Sequence, residues 1–148
     1  EDMRYIEDYL YIQKTRFGDR FLCETAIAGE CMRYDVPKLL LQPLIENSIK
    51  YGFKKRMEIR VTICGRCEGD YLYLSVEDNG PGIPPERQGK IFEPFVTSKN
   101  TNYNWGMGLY YVRKIVRSHL GRLRLESRDG EGARFQIMLP LYDPRQKE

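Results

Sequence analysis

The sequence predicts a single domain of the α+β class, and three observations lead to this prediction. Its 148 residues suit one domain that buries one sizeable core. Several segments place apolar residues at helical spacing, whereas others alternate apolar and polar residues as strands do. The hydrophobic fraction of 41% and the charged fraction of 30% are those of an ordinary globular protein.

The charge and hydropathy of the chain argue against two classes of function. Twenty-four basic and 21 acidic residues leave a formal net charge of +3, which is too small to indicate a nucleic-acid partner. No apolar run approaches the roughly 20 residues that span a bilayer, and no signal-peptide pattern is present. We therefore expect a soluble polypeptide. Because helical periodicity is already established at Glu1-Asp2-Met3, we also expect it to be part of a longer protein.

The first predicted element is an amphipathic helix of about four turns. Gly18 directly follows Phe17, the last apolar position, and comes after the basic residues Lys14 and Arg16, which makes it a typical stop signal. Alternation from Arg20 to Ala28 then predicts a strand. The apolar stripe of the helix comprises Met3, Tyr5, Ile6, Tyr9, Leu10, Ile12 and Phe17.

Val36-Pro37 predicts the start of a second helix, because proline is tolerated in the first turn. Pro43 lies inside the same segment and predicts a kink or a restart. This helix has an apolar face, comprising Leu41, Ile45 and Ile49, and an opposite face that comprises Asn47, Lys50 and Tyr51.

Two hairpins and a third helix complete the predicted elements. Residues 57–64 and 71–77 alternate and are joined by a polar stretch, 65–70. Helical spacing resumes at Leu109, and Gly121 is the predicted stop. The other segments are a lid or surface loop at 97–105, a hairpin of 122–127 and 133–139, and a polar tail at 140–148.

Four cysteines raise the question of a metal site. Cys64 and Cys67 have C-x-x-C spacing, but Cys23 and Cys31 are eight residues apart and no histidine is near enough to complete a tetrahedral site. We therefore expect reduced thiols rather than zinc ligands.

The stretch from Ser75 to Ile83 is the first candidate for a ligand site. An alternating strand ends in Asp78 and runs directly into Asn79-Gly80-Pro81-Gly82. Asn-Gly after a strand is also a common tight turn, so this stretch alone leaves a ligand site and a plain turn open.

Four motifs in order along the chain resemble the ATP-binding domain of sensor histidine kinases, whose superfamily includes gyrase, mismatch-repair ATPases and heat-shock chaperones. The motifs are Asn47 on the second helix, Asp78-x-Gly80-x-Gly82, the pair Phe92 and Phe95, and Gly106-x-Gly108-Leu109 at the start of a helix. Residues 42–47, with the pattern Gln-Pro-Leu-x-Glu-Asn, are similar to the asparagine box of the YesM-like kinases. The resemblance covers nearly the whole chain.

The resemblance implies a two-layer α/β sandwich, the Bergerat-type ATP fold. In this fold, helices cover one face of a mixed, mostly antiparallel sheet. The resemblance also divides the chain. Residues 1–18 would form an N-terminal helix leading from a dimerisation domain outside this chain, and residues 19–148 would form the ATP-binding domain.

The resemblance implies ATP and Mg²⁺ as cofactors. Asp78 would accept a hydrogen bond from the exocyclic amino group of adenine, a donor that guanine lacks at that position. Gly80 and Gly82 would let the backbone approach the base and turn tightly. Asn47 would offer a neutral oxygen to Mg²⁺, which needs few protein ligands beside the phosphates.

Further nucleotide contacts are implied on both sides of this stretch. Lys50 would meet phosphate, Tyr51 would lie against the adenine, and the glycines before the last helix would expose backbone amides to the phosphates. The two phenylalanines would anchor a lid. The complete further set is Lys50, Tyr51, Ile83, Phe92, Phe95, Thr97, Lys99, Gly106, Met107, Gly108 and Leu109, in which Thr97 and Lys99 are, like Arg87 outside the set, weaker candidates for phosphate contacts.

The sequence favours phosphoryl transfer to a side chain over ATP hydrolysis. Relatives that hydrolyse ATP typically place a glutamate four residues before the asparagine, and here that position is Pro43. Glu46 points about 100° away from Asn47. The only histidine, His119, lies at the end of the last helix, where an imidazole commonly caps carbonyl groups. The resemblance therefore implies a phosphoacceptor histidine on the upstream dimerisation domain, and no catalytic residue is assigned within this chain.

Two alternatives stay open, a serine kinase of the anti-sigma type and a non-catalytic nucleotide-sensing module. The expected partners are ATP, the upstream dimerisation domain and a response regulator, without nucleic acid or direct membrane contact. The resemblance implies that the chain is a cytoplasmic domain of a membrane-anchored parent protein.

Overall fold

The structure is a computed structural model that describes residues 4–37, 40–94 and 108–141. The helices in this part of the chain are α1 (Arg4–Phe17), α2 (Gln42–Lys55), α3 (Pro85–Gln88) and α4 (Gly108–Ser118). The strands are β1 (Phe21–Ile27), β2 (Ile59–Glu68), β3 (Tyr71–Asp78), β4 (Arg122–Ser127) and β5 (Ala133–Pro140). Short 3₁₀ helices span Gly18–Arg20 and Gly29–Arg33. None of the helices described here has the length and apolar character needed to cross a membrane.

The strands form one five-stranded sheet in the order β1-β2-β3-β5-β4. β1 and β2 are parallel, and the other neighbouring pairs are antiparallel. The parallel pair is possible because the chain passes through α2 between these strands, and parallel strands need a long crossover connection. The sheet is therefore mixed and mostly antiparallel, as the resemblance implies.

One face of the sheet carries the hydrophobic core. Buried and accessible residues alternate along β2 and β5, because successive side chains of a strand point to opposite faces. The helices reach this core through Ile6 and Leu10 of α1, Leu44, Ile45 and Ile49 of α2, and Val112 and Val116 of α4. Helices thus cover one face of the sheet, and the predicted fold class is confirmed.

α2 begins later than the sequence predicts. Val36 and Pro37 are not helical, and the helix starts at Gln42 with Pro43 in its first turn. The predicted start at Val36 is wrong because it would place Pro43 in a helix interior, where its ring clashes with the carbonyl group four residues earlier. In the first turn the missing N–H of proline costs no hydrogen bond.

The first hairpin is longer than predicted. Residues 65–68 belong to β2, so the predicted loop at 65–70 shrinks to the turn Gly69-Asp70, and Met57 lies outside the strand with 84% of its surface exposed. Gly69 has a φ of 60°, which glycine adopts without strain. Gly65 lies within the strand, and a side chain there would press on Leu74 and Ile27, so close packing accounts for glycine at this position.

The predicted apolar stripe of α1 is too wide. Ile6 and Leu10 are buried, but Tyr5 is 41% and Ile12 is 60% exposed. Residues two positions apart lie about 200° apart on a helix, so Ile12 faces away from the side on which Leu10 is buried. Gly18 has a φ of 60° directly after α1, and the predicted stop signal is confirmed.

α4 ends close to the predicted stop at Gly121, but glycine is required there for a reason other than a positive φ. Leu120, not a glycine, has the left-handed φ of 61°, and it lies just after the helix. The N–H of Gly121 donates to the carbonyl oxygen of Val116 at 2.8 Å. A side chain at Gly121 would collide with the Met138 carbonyl group of β5. Close packing, rather than a positive φ, therefore requires glycine here.

Candidate functional site

A cavity of about 250 Å³ lies between α2, the loop after β3 and the start of α4. Six of the predicted nucleotide-binding residues line it, together with Arg87, one of the weaker phosphate candidates. These six are Asn47, Tyr51, Asp78, Gly82, Ile83 and Leu109. Residues from widely separated parts of the sequence therefore share one cavity.

The carboxylate of Asp78 is held in this cavity by hydrogen bonds. One oxygen, Oδ1, accepts a hydrogen bond from the backbone N–H of Gly80 at 2.9 Å. The other, Oδ2, lies 2.7 Å from the hydroxyl of Ser48. Burial raises the pKa of Asp78, and the hydrogen bonds from Ser48 and Gly80 oppose that shift because they stabilise the ionised form.

Ser48 is a site residue that the sequence analysis missed. It is 2% exposed, and its hydroxyl lies within hydrogen-bonding distance of both Asp78 and the Leu44 carbonyl oxygen at 3.2 Å. One hydroxyl has one proton, so donation to the carboxylate and donation to the carbonyl group are alternatives. The available signal was a polar residue on the buried face of α2, between Ile45 and Ile49.

The loop after Asp78 is fixed by contacts of its own backbone. Asn79 continues the pairing with β2, because its side-chain oxygen accepts from the N–H of Arg60 at 2.8 Å. Gly82 has a φ of 77°, and a side chain there would collide with the carbonyl group of Arg128. The expected tight turn is present. The group that excludes a side chain at Gly82 is the neighbouring hairpin rather than a bound base.

Two further residues brace this loop and were not predicted. The hydroxyl of Ser127 accepts from the N–H of Ile83 at 2.8 Å. The side-chain amide of Gln88, on α3, donates to the carbonyl oxygens of Ile83 and Ser127 at 2.8 and 3.1 Å. No short-range pattern indicated these residues, because their partners are distant in sequence or in another element.

The lysines of α2 are arranged differently from the prediction. Lys50 is not among the described residues that line the cavity, and its Nζ lies 5.3 Å from the centre of the Tyr51 ring. Lys54 and Lys55 do line the cavity, and both are exposed. The Nζ of Lys54 lies 4.9 Å from the centre of the same ring. Two ammonium groups therefore lie near the ring of Tyr51, which itself lines the cavity.

Glu46 is engaged away from the cavity. Its carboxylate accepts from the side-chain amide of Gln42 at 3.0 Å, and Gln42 accepts in turn from the hydroxyl of Tyr5 at 2.9 Å. Burial, followed by the negative charge of Glu46, raises the pKa of Tyr9 on α1. Glu46 thus faces α1, which agrees with the predicted angle between it and Asn47.

The remaining predicted residues are placed as follows. Phe92 packs edge-on against the core residue Phe135, with ring centres 6.1 Å apart. Gly108 begins α4. Gly80, Phe92 and Gly108 are not among the described residues that line the cavity. The Nδ1 of His119 lies 2.9 Å from the Ile115 carbonyl oxygen, which is the predicted capping contact. Phe95, Thr97, Lys99, Gly106 and Met107 lie outside the described residues.

The side chains at the cavity are suited to hold a metal ion only jointly with a bound ligand. The described residues contain no group of three or more His, Cys, Asp or Glu side chains that could hold a metal ion. Asn47 contributes one neutral side-chain oxygen to the cavity. A cation that keeps its waters and binds phosphate oxygens, as Mg²⁺ does, fits such a sparse donor set.

Comparison with known proteins agrees with this geometry. The family model described as "Histidine kinase-, DNA gyrase B-, and HSP90-like ATPase" matches residues 34–143. The alginate biosynthesis sensor protein KinB of Pseudomonas aeruginosa is 33% identical over 123 residues, which is 82% of this chain and 21% of KinB. The sensor protein LytS of Bacillus subtilis is 26% identical over 153 residues, which is 100% of this chain and 25% of LytS.

Solved structures give the same assignment. The catalytic domain of the histidine kinase ThkA has a TM-score of 0.76 at 25% identity, covering 93% of this chain and 88% of that one. The mycobacterial sensor histidine kinase MprB shares the fold with a TM-score of 0.73 at 24% identity, covering 97% of both chains. The chain spans about a fifth to a quarter of the two curated relatives. It therefore belongs to the family of histidine kinase-, DNA gyrase B- and HSP90-like ATPases, and its relatives group it with the catalytic domains of sensor histidine kinases.

Proposed function

We propose that this chain is the ATP-binding catalytic domain of a two-component sensor histidine kinase. In this proposal it binds Mg-ATP and transfers the γ-phosphoryl group to a histidine on a dimerisation domain outside the chain. The parent protein would be membrane-anchored with this domain in the cytoplasm, and its further partner would be a response regulator. Residues 1–18 would connect the dimerisation domain to the ATP-binding domain at 19–148.

The environment of Asp78 is the observation that carries the proposal. A partly buried carboxylate is costly unless it accepts hydrogen bonds, and here the hydroxyl of Ser48 and the backbone of Gly80 and Ala133 hold it at the cavity. Each carboxylate oxygen has further acceptor capacity, so an amino group can be added without displacing these donors. The exocyclic amine of adenine supplies such a group, whereas guanine has an acceptor at that position.

Asn47 and Tyr51 lie one turn apart on the cavity side of α2, which suits a ligand that extends along the helix. Tyr51 would lie against the base. Lys54 and Lys55, which also line the cavity, add positive charge there. Asn47 would hold Mg²⁺ jointly with the phosphates, and the ion would neutralise charge on them.

Transfer to a side chain is favoured over hydrolysis because a base for water is absent from the expected place. Pro43 occupies the position four residues before Asn47, and Glu46 is bonded to Gln42 on the side facing α1. His119 is exposed and bonds the Ile115 carbonyl oxygen at the far end of α4. The acceptor in this proposal is therefore a histidine of another domain.

Single-turnover transfer tests the proposal. The chain is mixed with [γ-³²P]ATP, Mg²⁺ and the histidine-containing dimerisation domain of its parent protein. We expect acid-labile phosphohistidine on that domain and no label on the chain alone. Acid-stable phosphoserine would instead support a serine kinase. Bound ATP without any transfer would support a nucleotide-sensing module, and label on His119 would contradict the proposed acceptor.

A further inference from the structure

Two cysteines that the nucleotide site does not use lie side by side. The Sγ atoms of Cys31 and Cys67 are 3.1 Å apart, although 36 positions separate them in the sequence. Cys31 lies in the 3₁₀ helix Gly29–Arg33 and is 2% exposed, and Cys67 is half-buried near the end of β2. Both are free thiols.

Backbone hydrogen bonds hold the two thiols together. β1 and β2 are paired up to Ile27 and Gly65, and the next N–H, that of Ala28, still donates to the Gly65 carbonyl oxygen at 2.9 Å. The N–H of Cys31 then donates to the carbonyl oxygen of Ala28 at 2.9 Å. The chain that leaves β1 is thus attached to β2 two residues before Cys67. The proximity of the thiols follows from the sheet itself.

The C-x-x-C spacing of Cys64 and Cys67 has no direct role in this pair. Residues three apart on a strand point to opposite faces, so Cys64 cannot join Cys67 on the core side. The described residues contain no cluster with enough ligating groups for a metal ion at the pair. The neighbouring thiol, rather than a metal, is the partner that the fold provides.

We propose that Cys31 and Cys67 form a reversible dithiol–disulfide pair, which hydrogen peroxide or a small-molecule disulfide oxidises. With peroxide, the Cys67 thiolate attacks one oxygen, the O–O bond breaks, and hydroxide leaves and is protonated to water. The Cys31 sulfur then attacks the resulting sulfenic acid, the S–O bond breaks, and a second water leaves. Overall, the two thiols lose two protons and two electrons and peroxide becomes two waters.

The order of reaction follows from accessibility. Cys67 is the more accessible thiol and meets the oxidant first. Burial, followed by the hydrogen bond to Cys67, raises the pKa of the Cys31 thiol, which disfavours its direct reaction with an oxidant in solution. Cys31 therefore acts as the resolving thiol.

The disulfide is expected to change stability rather than nucleotide affinity. Cys67 pairs with Leu72 at the hairpin end of β3, whereas Asp78 pairs with Val61 at its other end. Val61 and Cys67 are six positions apart on β2, about 20 Å. The cross-link encloses the segment from Cys31 to Cys67, including α2, and should raise the melting temperature by about 10 °C.

The test uses the double variant Cys23→Ser, Cys64→Ser, in which only this pair remains. After hydrogen peroxide, and in parallel after glutathione disulfide, we expect loss of both reactive thiols and a Cys31–Cys67 cross-linked peptide in the mass spectrum. The melting temperature should rise, fall back with dithiothreitol, and stay unchanged in a matched variant that also carries Cys67→Ser.

Two outcomes would overturn the proposal. One is accumulation of sulfinic acid or of a glutathione adduct on Cys67 without a link to Cys31. The other is a protein that keeps two reactive thiols after both treatments. The peptide analysis needs only the variant with the pair intact, so it decides the question even where a serine at Cys31 or Cys67 weakens folding.

Discussion

At the scale of single residues, the site depends on how one carboxylate is held. Burial raises the pKa of Asp78, and the donors Ser48 and Gly80 keep the ionised form accessible. Gly80 supplies a backbone N–H that substitution does not remove, whereas the hydroxyl of Ser48 is a side-chain group. Ser48 is therefore the donor whose contribution mutagenesis can isolate.

Replacing Ser48 by alanine should weaken ATP binding on the order of tenfold, because one hydrogen bond to a buried charge is lost. The same change should raise the pKa of Asp78 further, since this bond lowers it. ATP affinity, which needs the ionised carboxylate, should then decline at a higher pH on acidification than in the parent chain. Calorimetric titrations at a series of pH values measure both effects.

Ser75→Ala is the matched control for Ser48→Ala. Ser75 is also buried, but it lies three positions before Asp78 on β3 and so faces the other side of the sheet. The Ser75→Ala substitution should therefore leave the ATP affinity and the pH dependence of that affinity unchanged. If ATP affinity declined at the same acidic pH in Ser48→Ala and in the parent chain, a role for Ser48 in holding Asp78 would be contradicted.

The residues found from sequence and those missed differ in where their partners lie. Asn47, Tyr51 and Asp78 belong to motifs whose spacing is local. Ser48 meets a partner 30 positions away, and Ser127 meets Ile83 across 44 positions. Such pairings arise only when the sheet brings β3, β4 and α2 together, so periodicity and turn signals do not contain them.

At the scale of elements, the loop from Asn79 to Ile83 is shaped by the hairpin between β4 and β5. Gly132 has a φ of 86° and packs against the carbonyl group of Asp78, while Gly82 packs against that of Arg128. The loop after β3 and the turn between β4 and β5 therefore interlock, and each contributes one glycine to the contact. A side chain on either would push them apart.

Gly82→Ala should lower the free energy of unfolding by about 3 kcal/mol, because it combines a strained φ with a collision against backbone. Urea unfolding followed by circular dichroism measures this change. Gly89→Ala is the matched control, since Gly89 has a φ of −73° and open space around its Cα. It should be neutral or slightly stabilising. Equal stability of the two variants would contradict the interlocked turns.

Element boundaries were harder to predict than element types. The sequence pattern predicts too early a start for α2 because Pro37 and Pro43 each suit a first helical turn, and the structure uses Pro43. The sequence pattern predicts too short a β2 because glycine in a strand resembles a turn signal, whereas a side chain at Gly65 would press on Leu74 and Ile27. In both cases packing between elements decides, and local pattern does not.

At the scale of the whole molecule, the helix-covered sheet places the cavity beside one end of β3 and the thiol pair at the other. α1 adds Ile6 and Leu10 to the same core as α2 and α4. The division of the chain at residue 18 stays a prediction, as does membership of the YesM-like subgroup. The fold class and the family were predictable because four motifs occur along the chain in the order typical of the family.

The central claim is that Asp78 recognises the adenine of ATP, and Asp78→Asn separates recognition from folding. The pKa of Asp78 is raised in the folded state, so its favourable contribution to stability is present below the unfolded pKa and is lost as pH rises through the folded pKa. At neutral pH the ionised group therefore disfavours the ligand-free fold. Asparagine removes that cost and can donate to Ser48 while accepting from Gly80.

The most direct measurement is calorimetric titration of Mg-ATP into the chain and into Asp78→Asn at neutral pH, with melting temperatures of both ligand-free proteins. We predict saturable binding heat for the parent chain and none for the variant, whose melting temperature should be equal or higher. Absence of heat from the parent chain, or equal ATP affinity in Asp78→Asn, would contradict the assignment of this cavity to ATP.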